Sequence, residues 1–418
     1  MKKILALVLA LCMVFALCAC GQSAAPAATE APAAADAAPA AEETAPAEEA
    51  AEGEYKIAMI TDYGDITDQS FNQTTYEACK AFSEDNGVEF TYFKPAGDST
   101  ADRVAMIEKA ADEGYNVIVM PGYAFGGAIV EAAPEFPDVK FIALDVAKGD
   151  LLETAVANAG ETYDYNPDNW NLEDYVDMSN VYCAIYQEEL CGYMAGYAAV
   201  KLGYTKLGFL GGMAVPAVIR YGYGYVQGID AAAKELGLTD VSLNYIYGGQ
   251  FSGDADITAV MDTWYNDGTQ IVFACGGGIY TSACEAAQKV DGKVIGVDTD
   301  QSGIIDAAYG EGMTVTSAMK GLYPTTYDTL EDVVVNGKWD EYVGKIATLG
   351  LVSGDDPEAN YVQIPMTTQF EDGKFTVEDY KALVKAMFDG ELTVSNDITK
   401  TASDFATVIT VNDQGSIK

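Results

Sequence analysis

Beyond its first fifty or so residues, the chain alternates short apolar runs with stretches whose apolar positions recur at helical spacing. Lys56-Ile57-Ala58-Met59-Ile60-Thr61 reads as a strand, and a helix follows over 70–85. In that helix Phe71, Ala78, Cys79 and Phe82 share a face, Asp68 is a candidate N-cap, and Asn86-Gly87 stops it. A second strand over 88–93 leads to a helix over 101–113, ended by Gly114. Val117-Ile118-Val119-Met120 is the third strand, 128–133 a helix broken at Pro134, and Phe141-Ile142-Ala143-Leu144 the fourth strand. A polar stretch rich in Asn and Tyr, about 149–180, interrupts the rhythm and reads as a surface excursion with few residues able to pack. The alternation resumes with a helix over 188–201, stopped at Gly203, and the strand Leu207-Gly208-Phe209-Leu210. It continues through a helix ending at Leu236 and strands near Val241, Ile271, Val294 and Thr314. Continuous apolar strands alternating with helices predict parallel sheets covered on both faces. The expectation is two α/β halves, each with four to six parallel strands, and one cleft where the carboxyl ends of their strands face each other.

The N-terminus changes the picture from a domain to an exported protein. Lys2 and Lys3 precede an apolar stretch of about fourteen residues, too short to span a bilayer of ~30 Å and of the size of a signal-peptide core. It ends in Leu17-Cys18-Ala19-Cys20-Gly21, which resembles a bacterial lipobox with Cys20 as the lipidated residue. An uncleaved anchor would hold the protein on the membrane equally well. From Gly21 to about Gly53 the chain is mostly Ala, Pro, Glu and Thr, without an aromatic residue or any Val, Ile or Leu. Such a segment cannot bury enough surface to offset its ordering, so it reads as an extended tether.

Charge and composition then exclude function classes. A net charge of −41 repels nucleic acid and anionic headgroups, and makes both poor partners. The chain has no histidine, which removes the commonest general base and the commonest zinc ligand together. Outside the leader stand Cys79, Cys183, Cys191, Cys275 and Cys284, with no CxxC pair. They allow at most two disulfides, and burial as small hydrophobes is the favoured reading.

The loops after the strands are the specific part. Asp62-Tyr63-Gly64-Asp65-Ile66-Thr67-Asp68-Gln69-Ser70-Phe71-Asn72-Gln73 follows the first strand. Gly208-Phe209-Leu210-Gly211-Gly212-Met213 comes later, with Pro216 and Ile219-Arg220 just after, and then Ala274-Cys275-Gly276-Gly277-Gly278. Gly296-Val297-Asp298-Thr299-Asp300-Gln301 and Thr316-Ser317-Ala318-Met319-Lys320 complete the series. Together these resemble, in order, the basic membrane protein family of solute-binding lipoproteins, over most of the chain from Tyr55 to about Gly390. The resemblance implies the type I periplasmic-binding-protein fold, two Rossmann-like lobes joined by three crossings that close on a ligand. It also implies a nucleoside ligand, a permease and an ATPase as partner subunits, a membrane attachment through Cys20, a monomer, and no cofactor. In these terms 1–19 is signal peptide and 20–53 the lipidated cysteine and tether. Residues 54–182 with about 321–345 form the first lobe, and about 183–320 with part of 346–418 the second.

Carried over position by position, the resemblance implies that Phe71 and Tyr221 sandwich the base. Asn72 and Asp145 would bond its edge, Asp62 and Asp298 would accept from ribose hydroxyls, and Lys320 would donate to the sugar. Backbone N–H groups of Gly276 and Gly277 would approach the ligand closely. Each assignment has a plainer alternative. Phe71 could be core, Tyr221 could belong to the aromatic face of Tyr221-Gly222-Tyr223-Gly224-Tyr225, the aspartates could cap helices, and Lys320 could lie on the surface. The family more often carries Phe where Tyr221 stands. Two other functions compete: the same transport role for a sugar or a purine-like vitamin, and a carboxylate-based hydrolase using Asp62, Asp145 and Asp298.

Overall fold

The computed structural model describes residues 54–418. The expected signal peptide, Cys20 and the tether lie outside the described residues. The first lobe opens with β1 (Lys56–Ile60), α1 (Phe71–Asn86), β2 (Glu89–Phe93) and α2 (Thr100–Asp112). It continues with β3 (Val117–Pro121), α3 (Phe125–Ala132), β4 (Lys140–Leu144), α4 (Lys148–Asn158) and β5 (Val181–Tyr186). The second lobe holds α5 (Glu188–Lys201), β6 (Lys206–Gly211), α6 (Pro216–Leu236), β7 (Ser242–Tyr247), α7 (Ala255–Asn266) and β8 (Ile271–Cys275). After these come α8 (Tyr280–Ala287), β9 (Lys293–Asp298), α9 (Ser302–Tyr309) and β10 (Thr314–Lys320). The chain then returns through α10 (Leu322–Leu330), which packs on α1, and β11 (Ile346–Leu349). It ends with β12 (Val362–Gln363), α11 (Val377–Phe388) and β13 (Thr410–Ser416).

Two sheets result. The first has six strands in the order β11-β5-β4-β3-β1-β2, all parallel. The second has seven in the order β12-β10-β9-β8-β6-β7-β13, where β12 alone runs antiparallel. The inner strands are buried on both faces, as their unbroken apolar runs require. The chain passes between sheets three times: after β5, after β10, and between β11 and β12.

Local chemistry sets the elements. The carboxylate of Asp68 accepts from the N–H groups of Ser70, Asn72 and Gln73, so it closes the start of α1 from two residues ahead of the N-cap position. Gly87 ends α1 in the left-handed conformation. Ser99 and Asp102 form a capping box on α2. The Tyr-Gly repeat in α6 has a packing origin. A Cβ on Gly224 would stand 2.1 Å from the Glu189 carbonyl oxygen, and one on Gly228 2.1 Å from that of Tyr193. Facing them on α5, a Cβ on Gly192 would meet the Tyr221 carbonyl at 2.3 Å. The two backbones touch because these glycines lack side chains, and this locks Glu188 against Arg220 at one end of the helix pair.

Three features differ from the sequence reading. The excursion near 149–180 contains α4, which buries Leu151, Leu152, Ala155 and Val156 and packs with Tyr163, Trp170 and Tyr175 as a small separate core. The first lobe extends past 182, because β5 runs to Tyr186, and β11 beyond 345 adds to the same sheet. The second sheet has seven strands where four to six were expected, because the C-terminal residues supply β13 to its one edge and β12 joins the other. All five cysteines are buried and free.

Candidate functional site

The carboxyl ends of β1, β3 and β4 face those of β6, β8, β9 and β10 across a cavity of about 650 Å³. Asp62, Phe71, Asn72, Asp145, Tyr221, Gly276, Gly277, Asp298 and Lys320 all line it. Residues up to 258 positions apart thus meet at the place where open parallel sheets collect their ligands.

Lys320, at the end of β10, organises the inner wall. Its side chain is 3 % exposed; the ammonium pairs with Asp145 and stands 3.5 Å from Asp298 and 3.8 Å from Glu188. Burial alone would lower its pKa, but Asp145, Asp298 and Glu188 outweigh burial and hold it charged well above the usual range. Glu188 in turn accepts from Arg220 Nε at 2.7 Å. Burial pushes Asp145 up to about 7; Lys320 pulls it down, and Glu188 and Asp298 push it further up. One oxygen of Asp145, Oδ1, is buried without a partner. Asp298 accepts from Ser70 Oγ at 2.6 Å and from the Tyr221 hydroxyl at 3.2 Å. Asp145 and Asp298 both stand at strand ends with positive φ, 61° and 64°, where side chains other than glycine are strained.

Asp62 is held from the first lobe. Asn72 Nδ2 donates to it at 2.8 Å and to Asp68 at 2.9 Å, while Asn72 Oδ1 accepts from the Asp62 N–H at 3.2 Å. The Asn72 amide, expected at a base edge, thus contacts Asp62 and Asp68 and fixes the position of Asp62. Burial pushes Asp62 up. Gly122 permits this position, since a Cβ there would stand 2.2 Å from Asp62 Oδ2 and the residue has φ +124°.

Two aromatic groups line the cavity. At the inner wall the Lys320 ammonium lies 4.6 Å from the Phe71 ring centroid and 5.6 Å from that of Tyr221. Tyr221 is 1 % exposed and meets Phe273 edge-on at 5.9 Å. At the mouth, Tyr63 stacks on Tyr123 at 6.0 Å and tilts against Phe251 of the other lobe at 6.1 Å. Arg103 stacks on Tyr63 at 4.8 Å. The sequence reading missed Ser70, Glu188, Tyr63, Tyr123 and Phe251 as site residues. Tyr63, Tyr123 and Phe251 stand in the loops two to four residues after strand ends, and that placement was the one available signal.

Two α/β lobes with a polar and aromatic cavity between facing strand ends define a two-lobed solute-binding protein of the type I class. The model of the PnrA-like ABC transporter substrate-binding proteins matches residues 55–375, and the chain belongs to that family. It is 28% identical over 262 residues to the ABC transporter nucleoside-binding protein BmpA of Lactococcus lactis, covering 59% of this chain and 65% of that relative, less than two thirds of its length. It is 25% identical over 345 residues to an uncharacterized lipoprotein of Pyrococcus furiosus, 79% of this chain and 77% of the relative. A solved solute-binding protein of an ABC transporter system from Aeropyrum pernix has the same fold, with TM-score 0.58, 21% identity, 84% of this chain and 90% of that one. This is a family of binding proteins, not of enzymes. No described helix is long and apolar enough to cross a membrane.

Proposed function

We propose that the chain is the extracytoplasmic, lipid-anchored receptor of an ABC importer and that its solute is a nucleoside, purine nucleosides foremost. The observation that carries this reading is the balance of the cavity wall. Six aspartates (Asp62, Asp65, Asp68, Asp98, Asp145 and Asp298) and two lysines line it, and both lysines are engaged by carboxylates. Such a wall accepts hydrogen bonds from hydroxyl and N–H groups and repels phosphate, since buried like charges without partners are costly. Phe71 supplies a ring face for a base, and Asp145 Oδ1 a free acceptor. The name of the Lactococcus relative points the same way. Anchoring through Cys20 and partnership with a permease and an ATPase complete the proposal.

The test is a thermal-shift screen of protein refolded once to remove carried-over ligand, against nucleosides, nucleobases, nucleotides, sugars and amino acids. A ligand at ~1,000 times its Kd adds roughly 4 kcal/mol of stability. Shifts with nucleosides and none with nucleotides are expected. Tight AMP binding without adenosine binding defeats the nucleoside reading, and shifts with sugars alone move the ligand while keeping the transport role. Release of free base during incubation would reveal a hydrolase.

A further inference from the structure

The family match ends at residue 375, and the residues after α11 run back over the second lobe to the mouth of the cavity. Tyr223, Gln227 and Asp230 stand four and three apart on α6 and share a face. That face carries the returning segment. The Tyr223 hydroxyl donates to the Lys400 carbonyl at 2.7 Å, and its ring meets Phe405 at 5.2 Å. Gln227 exchanges two hydrogen bonds with the backbone of Ser395, both 2.9 Å. Asp230 accepts from Thr407 N–H, Thr407 Oγ1 and Val408 N–H at 2.7, 2.6 and 2.8 Å.

From there β13 pairs along β7, from Thr410 opposite Ser242 to Ser416 opposite Tyr247. Ile417 N–H donates to the Tyr247 carbonyl at 2.9 Å, at the point where β7 gives way to the loop over 248–254. Gly249, Gln250, Phe251 and Ser252 of this loop line the cavity. Lys418 pairs with Asp254 and lies 3.3 Å from Gln250 Oε1. Within the loop, Gln250 Nε2 donates to the Ser252 carbonyl at 2.9 Å, and Ser252 bridges to Gly278. Phe251, which closes the mouth against Tyr63, is thus held by a loop whose near end is fastened to β13 and whose far end, at Asp254, is fastened to Lys418.

We infer that residues 389–418 are a strap that fixes this loop, and Phe251 with it, as the outer wall of the cavity, and so sets how fast a bound solute leaves. Ile417 and Lys418 act as positioning residues. The second half of the inference rests on the solute-binding reading; the first does not. An exposed ion pair contributes little by itself, so the backbone pairing is the part to test.

Ile417→Pro in the full chain removes the N–H that reaches Tyr247, and Ile417→Val keeps it. Hydrogen exchange of the Gly248 and Gly249 amides, which donate to the Gly211 and Gly212 carbonyls at the start of the loop, is compared first. It should quicken about fivefold in the proline variant, as expected for loss of one net hydrogen bond, and stay unchanged in the valine variant. The release rate of whichever nucleoside the thermal-shift panel selects should rise with it. Should Ile417→Pro not fold, Thr410→Pro deletes the bond to the Val241 carbonyl at the other end of the strand and gives the same comparison. Unchanged exchange at the loop overturns the strap. Faster exchange with unchanged release overturns its role in retaining solute. If no nucleoside binds the parent protein, the nucleoside reading fails and the exchange comparison still decides the strap.

Discussion

Lys320→Met should be the most informative single substitution. The ammonium is surrounded by Asp145, Asp298 at 3.5 Å and Glu188 at 3.8 Å, all almost fully buried. At an effective dielectric constant of 20, one such pair near 4 Å is worth about 4 kcal/mol. Against the three attractions stands the desolvation of the ammonium, several kcal/mol. Methionine fills much of the same space but leaves three carboxylates together, of which Glu188 alone keeps a cation, Arg220, while Asp298 keeps its bonds from Ser70 and Tyr221. Breaking a buried pair in this way costs about 3–5 kcal/mol. For a folded part of about 365 residues, that lowers Tm by roughly 4–7 °C. The loss must depend on pH. Asp145 already holds its proton up to about 7, against 3.8 unfolded, because of burial first and its acidic neighbours second. Between those values the folded state binds a proton that the unfolded chain has released. The contribution of Asp145 to stability therefore grows as pH falls through about 7 and levels off below about 4. Asp150 and Glu189, also pushed up to about 7 by burial, act in the same sense. Without Lys320 the pull that lowers Asp145 is gone, so the variant should lose most at pH 8 and less than half as much at pH 5. Melting curves of parent and variant at both values decide it. Equal losses at pH 5 and pH 8 would refute the buried-charge argument.

Phe71→Ala should weaken nucleoside binding by about 1–3 kcal/mol, the scale of base–aromatic stacking, with the melting curve nearly unchanged; calorimetric titration reads it, and unchanged affinity would make Phe71 a packing residue. Gly122→Ala forces a side chain into positive φ against Asp62, so both stability, by about 1–3 kcal/mol, and ligand affinity should fall, as melting and titration would show. Asn72→Ala should cost affinity through Asp62 and raise the pH above which ligand binds, because a bond that lowers the Asp62 pKa is lost; a pH–affinity profile identical to the parent's would place Asp62 outside binding. Scattering curves with and without saturating nucleoside should differ by closure of the lobes.

Much of the fold was legible because burial on both faces leaves a local mark. Apolar runs such as Val117-Ile118-Val119-Met120 and Ile271-Val272-Phe273-Ala274 are strands by composition alone, and Gly87 and Gly203 end helices by their own geometry. The helix α4 was missed although Leu151, Leu152, Ala155 and Val156 carry helical spacing, because the polar, aromatic stretch after them masked the period. The candidate site was legible as a set of loops and motifs, and all nine residues meet at one cavity.

What each residue does there was decided by contacts that no local pattern encodes. Asn72 turns its amide to Asp62 and Asp68, and Lys320 is gripped by carboxylates from β4, β9 and α5. Tyr221 directs its hydroxyl to Asp298. The alternation of strands and helices, the stops between them, and the family to which the strand-end loops belong can be read along the chain, since each depends on neighbours a few positions away. Which carboxylates meet the buried ammonium, which rings close the mouth, and the path of the last thirty residues along α6 and β7 come from packing between distant segments. Those pairings join residues up to 188 positions apart, and their energies come from burial and charge that exist only once the lobes have packed.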